Sequence, residues 1–102
     1  MKKTYKTQGK IWKWQSAEAP AIWYFIHIEK AISEKIKSDT IGGIKRGFGS
    51  VKVEVIIKET VWQTSLFPSR RHGVYLLPIK ACVRKDEDLY EGDEVNINIK
   101  LI

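Results

Sequence analysis

Apolar and polar side chains alternate strictly near the end of the chain, and this pattern constrains the fold most. The apolar set is Val95, Ile97, Ile99 and Leu101, and the residues between them are Asn96, Asn98 and Lys100. A repeat of two residues places one set on each face of a β-strand. Residues 51–58 alternate in the same way, broken only by Ile56, so both segments are predicted strands.

Four other segments are rich in β-branched and aromatic residues and are also predicted strands. They span residues 5–15, 21–28, 61–67 and 74–79. In the first, Trp12 and Trp14 share one face and Ile11 lies on the other. Residues 21–28 are apolar on both faces and are expected at the centre of the core. We expect Pro68 to end the fourth strand.

The hydrophobic period changes between the second and third strands. An apolar stripe recurs at every fourth residue there, formed by Ile28, Ile32 and Ile36. This spacing predicts an amphipathic helix over residues 29–38, ended by Gly42 and Gly43. One or two further helical turns are predicted within residues 80–88, before the last strand.

The predicted fold class is mainly β, or α+β by content. At 102 residues the chain has the usual size of one domain, so residues 1–102 are expected to form a single β-barrel domain. Six strands with short connections bury their apolar faces best in a closed or nearly closed barrel, which also removes exposed strand edges. The amphipathic helix would plug or cover one opening.

The charge of the chain is unevenly distributed. Residues 1–85 hold 17 Lys and Arg against 6 Asp and Glu, a balance of +11. Residues 86–102 hold 1 against 6, a balance of −5, within a net charge of +6. Such asymmetry indicates either an anionic partner for the basic part or a charged surface that keeps a small protein soluble.

Cysteine content and hydropathy bear on the cellular setting. Cys82 has no partner within the chain, which excludes an intrachain disulfide and favours the cytoplasm. The sequence indicates no signal peptide, and its most apolar stretch, residues 19–28, is too short to span a membrane. We expect a monomer or a small homo-oligomer.

No catalytic, metal or cofactor signature is present in the sequence. No serine lies in a nucleophile motif, and the acidic residues between Asp86 and Glu94 lack the spacing of a calcium loop. The glycines of residues 40–50 match neither phosphate-binding fingerprint. We therefore predict no catalytic residue, no metal ligand and no cofactor.

One group of residues does suggest a binding surface. It combines the basic residues Lys45, Arg46, Arg70, Arg71 and His72 with the aromatic residues Trp12, Trp14, Phe48 and Trp62. If barrel closure brings the two basic loops together, a cationic rim beside stacking surface is suited to phosphate-bearing ligands or single-stranded nucleic acid. The alternative is that the aromatic residues belong to the core and the basic residues are solvated in turns.

Three segments resemble a known family. They are residues 46–51, residues 64–68, and the stretch from Leu77-Pro78 through Lys80, Val83, Arg84, Lys85 and Leu89 to Gly92, Asp93 and Val95. Together they resemble the domain-of-unknown-function family number 1905 from about Tyr5 to Leu101. The resemblance implies a double-split β-barrel and assigns no catalytic residue.

Three functions stay open at this point. The first is a small non-enzymatic binding or accessory module that holds an anionic ligand or nucleic acid at the basic rim. The second is a small-molecule-binding protein or enzyme that uses the barrel mouth, lined by His27, Trp62, Tyr75 and Lys80. The third is an oligomerisation or partner-docking domain.

Overall fold

The strands close into a barrel. The computed structural model describes residues 3–15, 17, 22–40, 49–69 and 71–102. Within these residues lie strands β1 (Thr4–Gln15), β2 (Ile22–His27), β3 (Val51–Ile57), β4 (Thr60–Ser69), β5 (Val74–Pro78) and β6 (Glu94–Leu101), and helices α1 (Lys30–Thr40) and α2 (Ala81–Asp86). All neighbouring strands are antiparallel, in the order β1-β2-β5-β4-β3-β6. The predicted barrel and both predicted helical segments are confirmed.

Two long strands change partners along their length. β1 pairs with β6 as far as Lys10 and with β2 from Ile11 onward. β4 pairs with β3 as far as Leu66 and with β5 from Phe67 onward. The barrel therefore consists of two sheets that share β1 and β4: sheet A also contains β3 and β6, and sheet B also contains β2 and β5.

A glycine lies where β1 passes from sheet A to sheet B. A Cβ atom at Gly9 would lie 2.5 Å from Cγ2 of Ile26 and 2.8 Å from the carbonyl oxygen of His27. Both distances are far shorter than van der Waals contact, so the crossing of β1 against β2 has no room for a side chain.

Inward-pointing side chains fill the barrel. The completely buried residues of the strands are Val53, Val55, Ile57, Ile26, Leu66 and Leu77, and Ile11, Ile97 and Ile99 are 1% exposed. They occupy alternate positions on their strands, so the interior is a packed core, as in other small barrels.

Helix α1 is attached to two strands that are not neighbours in the barrel. The Ser33 hydroxyl accepts a hydrogen bond from the Tyr75 backbone N–H at 3.1 Å and donates one to the Ile28 carbonyl at 3.0 Å. On the other side, the Thr7 hydroxyl donates to Glu29 at 2.8 Å and the Tyr5 hydroxyl donates to Asp39. These bonds hold α1 against both β5 and β1, and they satisfy polar groups next to the core.

Two sequence-based expectations are wrong. β2 is not the centre of the core, since Ile22 is 46% and Trp23 is 52% exposed and within this strand only Ile26 is fully buried. Pro68 does not end β4, which continues to Ser69 and pairs Pro68 with Tyr75. Strand β3 begins opposite Leu66, so one edge of β4 is free of strand pairing at Pro68 and the missing N–H breaks no ladder bond there.

Other expectations lie outside the described residues. They include the helix-ending glycines Gly42 and Gly43 and most of the loop between α1 and β3. Neither α1 nor α2, the helices of the described ranges, is long and apolar enough to cross a bilayer.

Candidate functional site

The two sheets present outer surfaces of opposite character. We call the outward positions of sheet B the aromatic face, which comprises Trp12, Trp14, Trp23, Phe25, His27, Phe67, Ser69, Val74, Leu76 and Pro78. We call the outward positions of sheet A the polar face, which comprises Thr4, Lys6, Gln8, Lys10, Lys52, Glu54, Ile56, Val61, Gln63, Ser65, Glu94, Asn96, Asn98 and Lys100. Residues paired across antiparallel strands point to the same side, so the strand register assigns each residue to its face.

Rings of the aromatic face form a contact cluster across β1 and β2. The Trp12 ring centre lies 5.2 Å from that of Phe25 and 5.1 Å from that of His27. The rings of Trp23 and Phe25 are nearly parallel, at 11°, with their centres 6.3 Å apart. These distances are typical of aromatic pairs, which add about 0.5–1.5 kcal/mol each beyond burial of their area.

Large aromatic surfaces are nevertheless left open to solvent. Trp14 is 49% exposed, Trp23 is 52% exposed and Phe67 is 43% exposed. Trp14 and Trp23 lie directly opposite each other on β1 and β2, and Phe67 lies at the other side of the sheet on β4. Exposed apolar groups gathered on one face commonly mark a binding surface.

Two histidines extend the cluster toward the turn between β4 and β5. The His27 and His72 ring centres lie 4.6 Å apart, and His72 Nδ1 lies 3.1 Å from the Ser69 hydroxyl oxygen. Burial of the ring lowers the pKa of His27 below its ordinary value, and the nearby His72 lowers it further. His27 is therefore favoured in its neutral form, which suits a ring packed among other rings.

The sequence-predicted rim is only partly covered by the described residues. Arg71 and His72 lie exposed in the turn between β4 and β5, and His72 touches the aromatic face through His27. Lys45, Arg46, Phe48 and Arg70 lie outside the described residues. The structure thus brings His72 next to His27 and, through it, to Trp12.

Trp62 does not lie on the surface, where the sequence-predicted rim would require it. It is 9% exposed and is paired with the inward-pointing Val55, so its ring belongs to the core. Trp12 and Trp14 take the opposite orientation, because Ile11 of the same strand fills the inward position.

The family model described as a domain of unknown function, DUF1905, matches residues 8–99. The chain belongs to the DUF1905 family. This confirms the resemblance found in the sequence, and the match includes every strand of the barrel at least in part. The family description names no activity, so membership assigns this DUF1905 chain no reaction. A search of curated proteins found no match.

Sequence reasoning missed several members of the aromatic face in this DUF1905 chain. The sequence predicts Trp23 and Phe25 to lie in the core because residues 21–28 are apolar on both faces. Such a run contains no alternation from which to assign faces. What assigns these residues to a face is the pairing of β2 with β1 in the structure. It sets Trp23 opposite Trp14 and Phe25 opposite Trp12.

Charge also distinguishes the two faces. Among the described residues of the aromatic face there is no carboxylate, and the turn beside it carries Arg71 and His72. The polar face contains both Glu54 and Glu94 among its lysines. Of the two faces, only the aromatic face thus lacks a carboxylate among its own described residues.

The barrel mouth does not gather the four residues suggested for it. Trp62 and Tyr75 are buried in the core, at 9% and 8% exposure, whereas His27 points outward and Lys80 is exposed. A pocket of about 210 Å³ lies instead over residues 4–6, Ile56 and residues 98–100. Within the described ranges no group of three or more His, Cys, Asp or Glu side chains is placed to hold a metal ion.

Proposed function

We propose that this DUF1905 protein is a non-enzymatic module that binds nucleic acid through its aromatic face. The observation that carries this proposal is the exposure of Trp14, Trp23 and Phe67 on one sheet surface. Bases stack on exposed aromatic rings with about 1–3 kcal/mol per base, and they do so without strong sequence preference. These three rings lie outside the core, which is on the other side of the sheet.

Charge supports the same ligand. Arg71 and His72 border the face, no carboxylate belongs to its described residues, and the net charge of the chain is +6. Cationic side chains next to stacking rings are what single-stranded nucleic-acid sites combine.

Binding to a fluorescently labelled oligodeoxythymidylate of 12 nucleotides tests the proposal. At low ionic strength, we expect the pair Trp14→Ala and Trp23→Ala to weaken binding by at least tenfold, since each ring supplies about 1–3 kcal/mol of stacking. The matched pair Gln8→Ala and Gln63→Ala on the polar face should leave it unchanged. Added salt should weaken wild-type binding, and Arg70→Ala with Arg71→Ala should weaken binding most at low salt and reduce its dependence on salt.

Two results would remove the proposal. One is the absence of binding by the wild-type protein at low ionic strength. The other is equal loss of affinity in the aromatic-face and polar-face pairs, which would indicate general attraction between a basic protein and a polyanion.

A further inference from the structure

We infer that the ligand is a single strand that crosses the aromatic face diagonally, from Trp14 and Trp23 to Phe67, with its phosphates near Arg71 and His72. This inference rests on the proposed function and adds to it the path, the minimum length and the strandedness of the ligand.

Free ring surface exists at two separate places on the face. At one end, Trp14 and Trp23 are about half exposed, at 49% and 52%. At the other end, Phe67 is 43% exposed. Between them, near the line that joins the two ends, lie Phe25 of β2 and its pairing partner Pro78 of β5, which are only partly exposed. A ligand that stacks at both ends must therefore pass over this packed middle.

Strand geometry gives the separation of the two ends. Phe67 is paired with Leu76 of β5, and Leu76 is paired with His27 of β2, so Phe67 lies two strands away from His27. Two strand spacings amount to about 10 Å, and the four residues from Trp23 to His27 add about 13 Å along β2. The diagonal from Trp23 to Phe67 is then about 16 Å.

This separation sets the length of the ligand. A stacked strand advances about 3.4 Å per nucleotide, so about five nucleotides span the diagonal, and somewhat fewer suffice where the strand is extended. The length falls at the low end of the range of about 4–16 nucleotides bound by single-stranded sites on small barrels. A mononucleotide or dinucleotide reaches only one end.

A cationic side chain, Arg71, borders the face at the end that carries Phe67. The turn that carries Arg71 and His72 follows the pair Ser69–Val74, just beyond Phe67, and the His72 ring centre lies 4.6 Å from that of His27. Phosphates at this end of a crossing strand would lie near Arg71 and His72 while bases stack on Phe67 and on the two tryptophans at the other end. In a duplex the bases are stacked and paired with each other, so their faces are not available to Trp23 or Phe67.

The experiment compares oligodeoxythymidylates of 1, 2, 4, 6 and 12 nucleotides, and a duplex of 12 base pairs, by quenching of tryptophan fluorescence at low ionic strength. We expect affinity to rise at least tenfold between the dimer and the hexamer and then only about twofold to the 12-mer. The duplex should bind at least tenfold more weakly than the single strand of equal length.

Single substitutions locate the two ends. Phe67→Ala should weaken binding of the hexamer about tenfold and leave the dimer unchanged, whereas Trp23→Ala should weaken both. Val61→Ala is the matched control, because Val61 is an exposed apolar residue of the same strand that lies on the polar face. It should change neither.

The possible outcomes show whether the path of the strand, the proposed function or both are wrong. If the hexamer binds no better than the dimer, if Phe67→Ala leaves the hexamer unaffected, or if the duplex binds equally well, the path is overturned while nucleic-acid binding stands. If no oligonucleotide binds, both fail. If light scattering shows a wild-type dimer that Trp14→Ala with Trp23→Ala converts to a monomer, a second copy covers the face and the path is overturned.

Discussion

The two outer faces of this barrel share strands β1 and β4 and enclose the same core, yet they differ in chemistry. Over sheet A the outward residues are mostly lysine, asparagine, glutamine and glutamate, as expected for a surface in contact with water. Over sheet B they include three tryptophans and two phenylalanines. Core packing dictates the inward positions of both sheets alike, so it cannot explain why one outer face is aromatic. Binding can explain it.

We expect the largest effect on stability when a buried residue and an exposed residue of the same strand are compared. Leu66 and Phe67 are neighbours on β4, the first completely buried and the second 43% exposed. We expect Leu66→Ala to lower the free energy of unfolding by about 2–5 kcal/mol. Phe67→Ala should lower it by about 1 kcal/mol or less. Urea denaturation of both variants provides the measurement, and equal losses would mean that the aromatic face belongs to a core.

We expect a smaller energetic difference between the cross-strand side-chain pairs of the two faces. Trp12 faces Phe25 on sheet B, and Glu54 faces Lys100 on sheet A. In double-mutant cycles to alanine, we expect a coupling energy of about 0.5–1.5 kcal/mol for the aromatic pair. For the exposed charged pair we expect less than about 0.5 kcal/mol.

Salt provides the control for these cycles. Added salt should reduce the coupling of Glu54 with Lys100, because exposed charges are screened, and should leave that of Trp12 with Phe25 intact. A salt-sensitive aromatic pair, or equal couplings on both faces, would contradict the difference drawn between them.

The smallest effect concerns pH and His27. Its pKa in the folded protein lies below the unfolded value of about 6.5, so the unfolded chain takes up the proton first as pH falls. The stability that neutral His27 contributes is thus fully present above about pH 6.5 and is lost as pH falls through the folded pKa.

A His27→Gln variant tests whether neutral His27 makes the protein less stable as pH falls. Between pH 7.5 and 5.5, the wild-type protein should lose more thermal stability than the variant, measured as the difference in Tm. A variant that loses as much as the wild type, or more, would show that His27 is not held neutral within the aromatic cluster.

The sequence was sufficient to predict the strands and their closure into a barrel. Alternation at Val95–Leu101 and over Val51–Ile57 gave the inward faces directly, since apolar residues recur there at every second position and Ile56 is an outward exception. The change of period after Ile28 likewise predicted helix α1. These patterns are local, so they predict strands and helices without knowledge of which strands pair.

The aromatic face was not predictable in the same way. Its members come from four strands, and residues 21–28 offer no alternation to reveal which side is outward. Only the pairing of β2 with β1 and β5 decides that Trp23, Phe25 and His27 point outward. The even positions Trp12 and Trp62 also look equivalent in sequence, yet one ring lies on the surface and the other in the core.

Mapping amide chemical-shift changes by NMR during addition of a deoxythymidylate hexamer tests most directly whether the aromatic face binds single strands. We expect the changes to be largest at Trp14, Trp23 and Phe67, including the indole N–H signals of the two tryptophans, and to be small at Gln8 and Asn96. Changes concentrated on the polar face, or spread evenly over both faces, would contradict the assignment of binding to sheet B.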